Sequence, residues 1–182
     1  DDTGSRGLGD VYKRQGNTRY DTIKMQRIIN IERFYIAPCA KIVNNILSIG
    51  DEQNGTTAVK ADVTDWNIEE YTLESQLNVL YPQHTIEELW GCTYRQGDFA
   101  ETHCHRGFDK SFVWFVDTCT HCSPLIFPDP EHPWMPPLAS IRPSRGNLIV
   151  FNSNDIHYVP PHTCKHHRMV ISGNMSLNKK VH

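Results

Sequence analysis

The sequence predicts a mainly β domain with flanking helices, closed as a sandwich or barrel, and three observations carry that reading. The second half of the chain breaks into short segments with turn residues every few positions, about eight strands in all. One of them, Ser111-Phe112-Val113-Trp114-Phe115-Val116, is rich in β-branched and aromatic residues on both faces. Helical periodicity, in contrast, is confined to two stretches of the first half.

Taken in order, residues 1–26 read as a disordered or artefactual N-terminal segment. They are polar and without periodicity, and the run from Ser5 to Gln15 resembles a translated sequencing adaptor. Residues 27–182 are expected to form one domain, with a barrel core over about 88–174. Ile28, Ile29, Ile31, Phe34 and Ile36 suit a strand. Pro38 fits the first position of a helix over residues 39–49, where Ile42, Val43, Ile46 and Leu47 recur at helical spacing, and Gly50 is its expected cap. Residues 51–55 read as a polar turn, and residues 61–66 carry no assignment. A second helix is expected within residues 68–81, with Tyr71, Leu77 and Leu80 facing the barrel and Pro82 ending it. Strands follow at 88–94 and 99–104, joined by the turn Gln96-Gly97-Asp98, then at 111–116 and 125–127. The proline-rich stretch from Pro128 to Pro137 is a loop, and residues 138–142, 147–151, 156–159 and 168–172 complete the strands. The four tryptophans, Trp66, Trp90, Trp114 and Trp134, are expected in the core or lining a pocket.

Composition excludes some classes. With 182 residues and a formal charge of −3, nothing global points to nucleic acid or a membrane surface. No apolar run approaches a membrane span and no signal peptide is visible. A chain of this length with a packed barrel does not need disulfides, so the six cysteines are expected as free thiols in a reducing cytoplasm. Cys119-Thr120-His121-Cys122 has the spacing of a zinc knuckle that Cys104, Cys164 or a histidine could complete. A single such pair favours a loop with free thiols.

The ten histidines concentrate after residue 100, and that bias points to metal chemistry. His103 and His105 stand two apart on an extended segment, where alternation puts both on one face. Neutral imidazole is a ligand of iron, zinc and copper. A third ligand must come from farther along, from His157, His162, His166 or His167, with His157 the best candidate and the other three expected as solvated residues of a polar turn. Arg168 opens the apolar run Met169-Val170-Ile171. An arginine pointing inward there requires a buried anion, and its planar fork suits a carboxylate. Ser172 falls on the same strand face as Arg168, and Tyr94 is either a hydrogen-bond donor to the same acid or a core tyrosine.

The ordered set Tyr94-x-x-Gly97, His103-x-His105, Pro143-x-x-Gly146-x-Leu148-x-x-Phe151, His157 and Arg168 resembles the 2-oxoglutarate- and Fe(II)-dependent oxygenase superfamily. It is most similar to the prolyl-hydroxylase-like and the phage or marine-bacterial branches. The resemblance spans roughly residues 89–176. It implies a double-stranded β-helix, a jelly-roll barrel of cupin type, with Fe(II) on His103, His105 and His157. It also implies 2-oxoglutarate as co-substrate with its C5 carboxylate on Arg168, supported by Tyr94 and Ser172. O2 and an unidentified substrate complete the reaction, with hydroxylation its default outcome. Two positions depart from the superfamily's pattern. His105 stands where Asp or Glu is usual, and Val170 stands where many members have Ser or Thr. The first departure keeps two rivals open: a three-histidine cupin-type dioxygenase that needs no 2-oxoglutarate, and a non-catalytic metal-binding barrel.

Overall fold

A computed structural model describes residues 29–49, 51–52 and 58–179. The N-terminal segment and the expected helix cap at Gly50 lie outside the described residues. In chain order the elements are β1 (Ile31–Tyr35), α1 (Ala40–Ile49), β2 (Asp51–Glu52), β3 (Val59–Lys60), β4 (Asp62–Val63), α2 (Tyr71–Leu80) and β5 (His84–Tyr94). They continue with β6 (Phe99–His103), β7 (Lys110–Asp117), β8 (Leu125–Phe127), β9 (Ala139–Ile141), β10 (Asn147–Asn152), β11 (His157–Val159) and β12 (Arg168–Leu177). Asp51 and Glu52, expected in a turn, pair instead with β4, and Val59 and Lys60 pair with β6.

The strands form two sheets, one in the order β1-β10-β7-β12-β5-β4-β2 and one in the order β3-β6-β11-β8-β9. Their named pairings are antiparallel. Two hydrophobic layers follow from the pleat, because alternate side chains leave a strand on opposite sides. Phe112, Trp114 and Val116 of β7, with Leu148, Val150, Met169 and Ile171, pack against Ile42 and Ile46 of α1 and Leu73 and Leu77 of α2. Val113 and Phe115, with Trp90, Ile149 and Val170, face Leu125, Phe127, Ile141 and Val159 of the second sheet. The larger sheet is therefore buried on both sides, which is why β7 and β10 read as continuous apolar runs. This is the double-stranded β-helix, with the helices outside it.

Of the three residues expected to face the barrel from the second helix, only Leu77 does. Leu73, one turn before it, is the other buried residue, whereas Tyr71 is 85% exposed and Leu80 36% exposed. The Glu70 carboxylate caps the first turn by accepting from the Thr72 N–H, and the Leu73–Leu77 stripe packs on the sheet. Of the tryptophans, Trp114 is fully buried and donates Nε1–H to the Ile36 carbonyl, but Trp134 is 76% exposed in the proline-rich loop. Among the described residues no helix is long and apolar enough to cross a membrane.

Candidate metal centre and anion pocket

Three imidazoles converge inside the mouth of the barrel. His157 opens β11 directly opposite His103, the last residue of β6. His105 lies two residues beyond β6, held there by its backbone N–H on the Ser153 carbonyl (2.8 Å). Ring centroids are 4.4 Å apart for His103 and His157, 5.1 Å for His105 and His157, and 5.2 Å for His103 and His105. One nitrogen from each ring lies within 4.8 Å of the others. Small ring rotations bring that span within the reach of one ion with bonds of about 2 Å.

The other nitrogen of each ring is committed to an oxygen. His103 Nδ1 meets the Glu101 carbonyl at 2.6 Å and His157 Nδ1 meets the Asp155 carbonyl at 2.9 Å. A carbonyl only accepts, so both rings carry their proton on Nδ1 and present Nε2 as a bare lone pair. His105 Nδ1 contacts Asn174 Oδ1 at 2.6 Å. The Asn174 amide is oriented by its own Nδ2–H, which donates to Glu88 Oε2 at 2.7 Å, so His105 too is the Nδ1–H tautomer. Ser111 Oγ donates to Asn174 Oδ1 at 2.7 Å and contacts Ser153 Oγ at 2.9 Å. These groups form a buried polar scaffold behind His105, of the kind that fixes ligand orientation. Burial holds all three imidazoles below their ordinary range, His157 furthest, to about 3. All three are therefore neutral near pH 7, the form that binds a metal.

A narrow cavity runs from these rings to Arg168 and is lined in addition by Tyr94, Val170 and Ser172. The expected inward face of β12 is thus present. Arg168 is 1% exposed. Its guanidinium stacks on Tyr94 at 4.7 Å and on Phe115 at 5.4 Å, and Nε–H donates to the Ser123 carbonyl at 2.9 Å. Nη2 has no hydrogen-bond partner among the described residues. Burial lowers the Arg168 pKa and raises that of Tyr94, each opposing charge at that end of the cavity. A buried guanidinium with an unpartnered Nη2 fits a carboxylate that enters from the direction of the imidazoles.

On the outer side the rings open into a cleft of about 530 Å³ lined by Trp66, Glu88, Trp90, Arg106, Phe108 and others. That volume lies in the range of small-molecule sites. Trp66 and Trp90, with ring centroids 4.6 Å apart and planes tilted by 52°, form one wall.

Several other titratable residues fall outside the site. His162, expected in a solvated turn, is 1% exposed and ties two loops together: Nδ1 accepts from the Ser123 N–H, and Nε2 meets the His166 carbonyl at 2.7 Å. His166 is exposed beside Asp117, and His167 Nε2 contacts Arg95 at 3.3 Å. Asp109 is outside the imidazole group and accepts from the Leu177 N–H. Lys110 pairs with Glu32, and Arg145 donates to the Val116 and Pro38 carbonyls. Sequence reasoning missed Ser111, Ser153, Glu88 and Asn174. Only Asn174 had a legible signal, as the fourth residue of the inward alternation 168, 170, 172, 174.

No protein-family model and no curated protein matches the chain. Solved structures do. A prolyl-4-hydroxylase from Pseudomonas putida superposes with a TM-score of 0.59 at 15% identity, covering 87% of this chain and 96% of that one. A non-haem α-ketoglutarate-dependent carbocyclase of nogalamycin biosynthesis gives 0.58 at 9% identity, covering 87% and 83%. A Streptomyces hygroscopicus protein solved with nickel and 2-oxoglutarate bound gives 0.56 at 8% identity, covering 91% and 87%. The barrel, the placement of its helices outside and these superpositions agree: the chain has the double-stranded β-helix fold of the 2-oxoglutarate- and Fe(II)-dependent oxygenases.

Proposed function

We propose that the protein is a 2-oxoglutarate- and Fe(II)-dependent dioxygenase that hydroxylates a substrate held in the Trp66–Trp90 cleft. The observation that supports the reading is the fully buried guanidinium of Arg168, whose Nη2 has no hydrogen-bond partner among the described residues, at the far end of the cavity that the three imidazoles close. His103, His105 and His157 are the residues that hold the iron, through Nε2. Iron with its oxoacid supplies the activation of O2 that organic side chains do not provide.

The rest is the work of this chain's own residues. Arg168 binds the distal carboxylate of the co-substrate, with Tyr94 stacked beneath the guanidinium and Ser172 on the same wall. Their spacing from the imidazoles orients the keto-acid end toward the metal. Glu101, Asp155 and Asn174 fix the ring tautomers, so no proton has to leave an imidazole when the metal enters. Val113, Leu125 and Val170 narrow the cavity and exclude bulk water from it. The cleft admits the substrate from the opposite side, and Arg106 and Glu88 on its rim offer one charge of each sign. One structural neighbour is a carbocyclase rather than a hydroxylase, so hydroxylation is the outcome to be tested by product.

The three-histidine set favours one rival, an oxygenase that needs no oxoacid. Oxygen uptake by the Fe(II)-loaded protein separates them. Uptake that depends on 2-oxoglutarate, with succinate released, supports the proposal. Uptake that proceeds without it, given any substrate, refutes the proposal.

A further inference from the structure

A second cluster of ligating side chains lies on the far side of Arg168. Cys119 and Cys122 come from the turn after β7, closed by the Cys122 N–H on the Cys119 carbonyl at 3.1 Å. Cys164 comes from the loop between β11 and β12, 45 residues away in sequence from Cys119. Cys119 Sγ is 3.5 Å from Cys122 Sγ and 3.4 Å from Cys164 Sγ, and all three sulfurs lie within 4.8 Å of one another. Four thiolates on a tetrahedral zinc with bonds of about 2.3 Å would sit about 3.8 Å apart. The sulfurs are thus already placed near the edges of such a tetrahedron. Each also receives a backbone N–H, as metal-bound thiolates do. Cys122 Sγ accepts from Cys119, Cys164 Sγ from His166, and Cys119 Sγ from His121.

We propose that Cys119, Cys122 and Cys164 bind one zinc ion as a structural site, independent of the three imidazoles. This reverses the sequence-level preference for a loop of free thiols. Cys104 is not in the set, and Cys164 is the member that chain spacing left undecided. An imidazole from the adjacent exposed residues His121 or His166, or a water, takes the fourth position. The site clamps the loop of residues 118–124 to that of residues 160–167, beside the bridge that buried His162 already makes between them. Ser123, next in sequence to Cys122, supplies the carbonyl that fixes Arg168 Nε. Zinc therefore holds the peptide against which the anion-binding guanidinium is aligned.

The test is cobalt substitution in the full chain, stripped by chelator under reductant. Co(II) bound by three thiolates shows near-ultraviolet sulfur-to-metal charge transfer and intense tetrahedral bands in the visible. Those bands should persist in the His103→Ala/His157→Ala double variant, saturate there at one equivalent, and bleach on adding Zn(II). Cys164→Ser should remove them and weaken Zn(II) binding at least about a hundredfold. If that variant does not fold, titrating the unaltered protein with a mercurial decides instead: release of one zinc should track reaction of Cys119, Cys122 and Cys164, mapped by mass spectrometry, and release that tracks Cys39 or Cys104 overturns the proposal. Cobalt binding without charge transfer overturns the proposal. So does loss of the bands in the histidine variant, or a Cys119–Cys122 disulfide that forms in the presence of Zn(II).

Discussion

Replacing Arg168 by Met tests the oxoacid reading more directly than any other change. Met roughly preserves volume and apolar contact with Tyr94 and Phe115 while removing the charge and the N–H fork. In the ligand-free protein Arg168 is buried with Nη2 unpartnered, so neutralising the site should leave stability within about 1 kcal/mol of the original or raise it. The ligand response should change far more. If the proposed function holds, free 2-oxoglutarate at about a hundred times its Kd, with Mn(II) in place of iron, should stabilise the unaltered protein by about 2.7 kcal/mol. For a domain of this size that is a rise in Tm of about 5–10 °C. Losing one partner of a buried charge pair costs about 3–5 kcal/mol, a weakening of more than a hundredfold. At the same ligand concentration Arg168→Met should then shift by less than about 2 °C. Arg168→Lys should fall between, keeping charge without the fork. Thermal melts with and without 2-oxoglutarate measure all of this. Equal shifts in the unaltered and Met proteins would refute the anchoring role. A ligand-free Arg168→Met protein weakened by more than about 3 kcal/mol would show that the arginine is structural.

Three further outcomes are expected. His103→Ala and His157→Ala should abolish Fe(II) or Mn(II) binding, whereas His105→Asp should retain it; calorimetric titration checks both, and loss of metal in His105→Asp would deny that position a ligand role. Asn174→Leu should lower metal affinity about 10–100-fold by freeing the His105 ring and leaving Ser111 and Glu88 without their partner; unchanged affinity would show that the scaffold behind His105 does not tune the site. For the metal-free protein, burial and then the neighbouring His103 hold the His157 pKa at about 3 against an ordinary 6.5. The unfolded chain takes up that proton first, so stability is full above pH 6.5 and falls as pH drops toward 3, by at most about 1.4 kcal/mol per pH unit from this group. Urea unfolding of the apoprotein at several pH values reads the slope, and an equal slope in His157→Ala would refute the assignment.

What could be read in the sequence is what depends on near neighbours. Strand alternation placed Arg168, Val170 and Ser172 on one face, and turn chemistry at Gln96-Gly97-Asp98 separated β5 from β6; both are set by backbone sterics within a few residues. The pairing of His103 with His105 is likewise local. The resemblance added the choice of His157, and strand pairing between β6 and β11 brings that residue opposite His103. The rest needed the folded chain. Whether Leu73 or Tyr71 joins Leu77 against the sheet depends on how the helix is rotated about its axis when it packs, which so short an apolar stripe does not fix. His162 looked like a solvated turn residue and is a buried bridge, because loop burial is decided by which loops meet. Ser111, Ser153 and Asn174 come from three separate segments, and Cys164 lies 45 residues from Cys119. Ligand sets assembled across sheets have no spacing in the chain to announce them; only the register of the strands beneath brings their atoms within bonding distance.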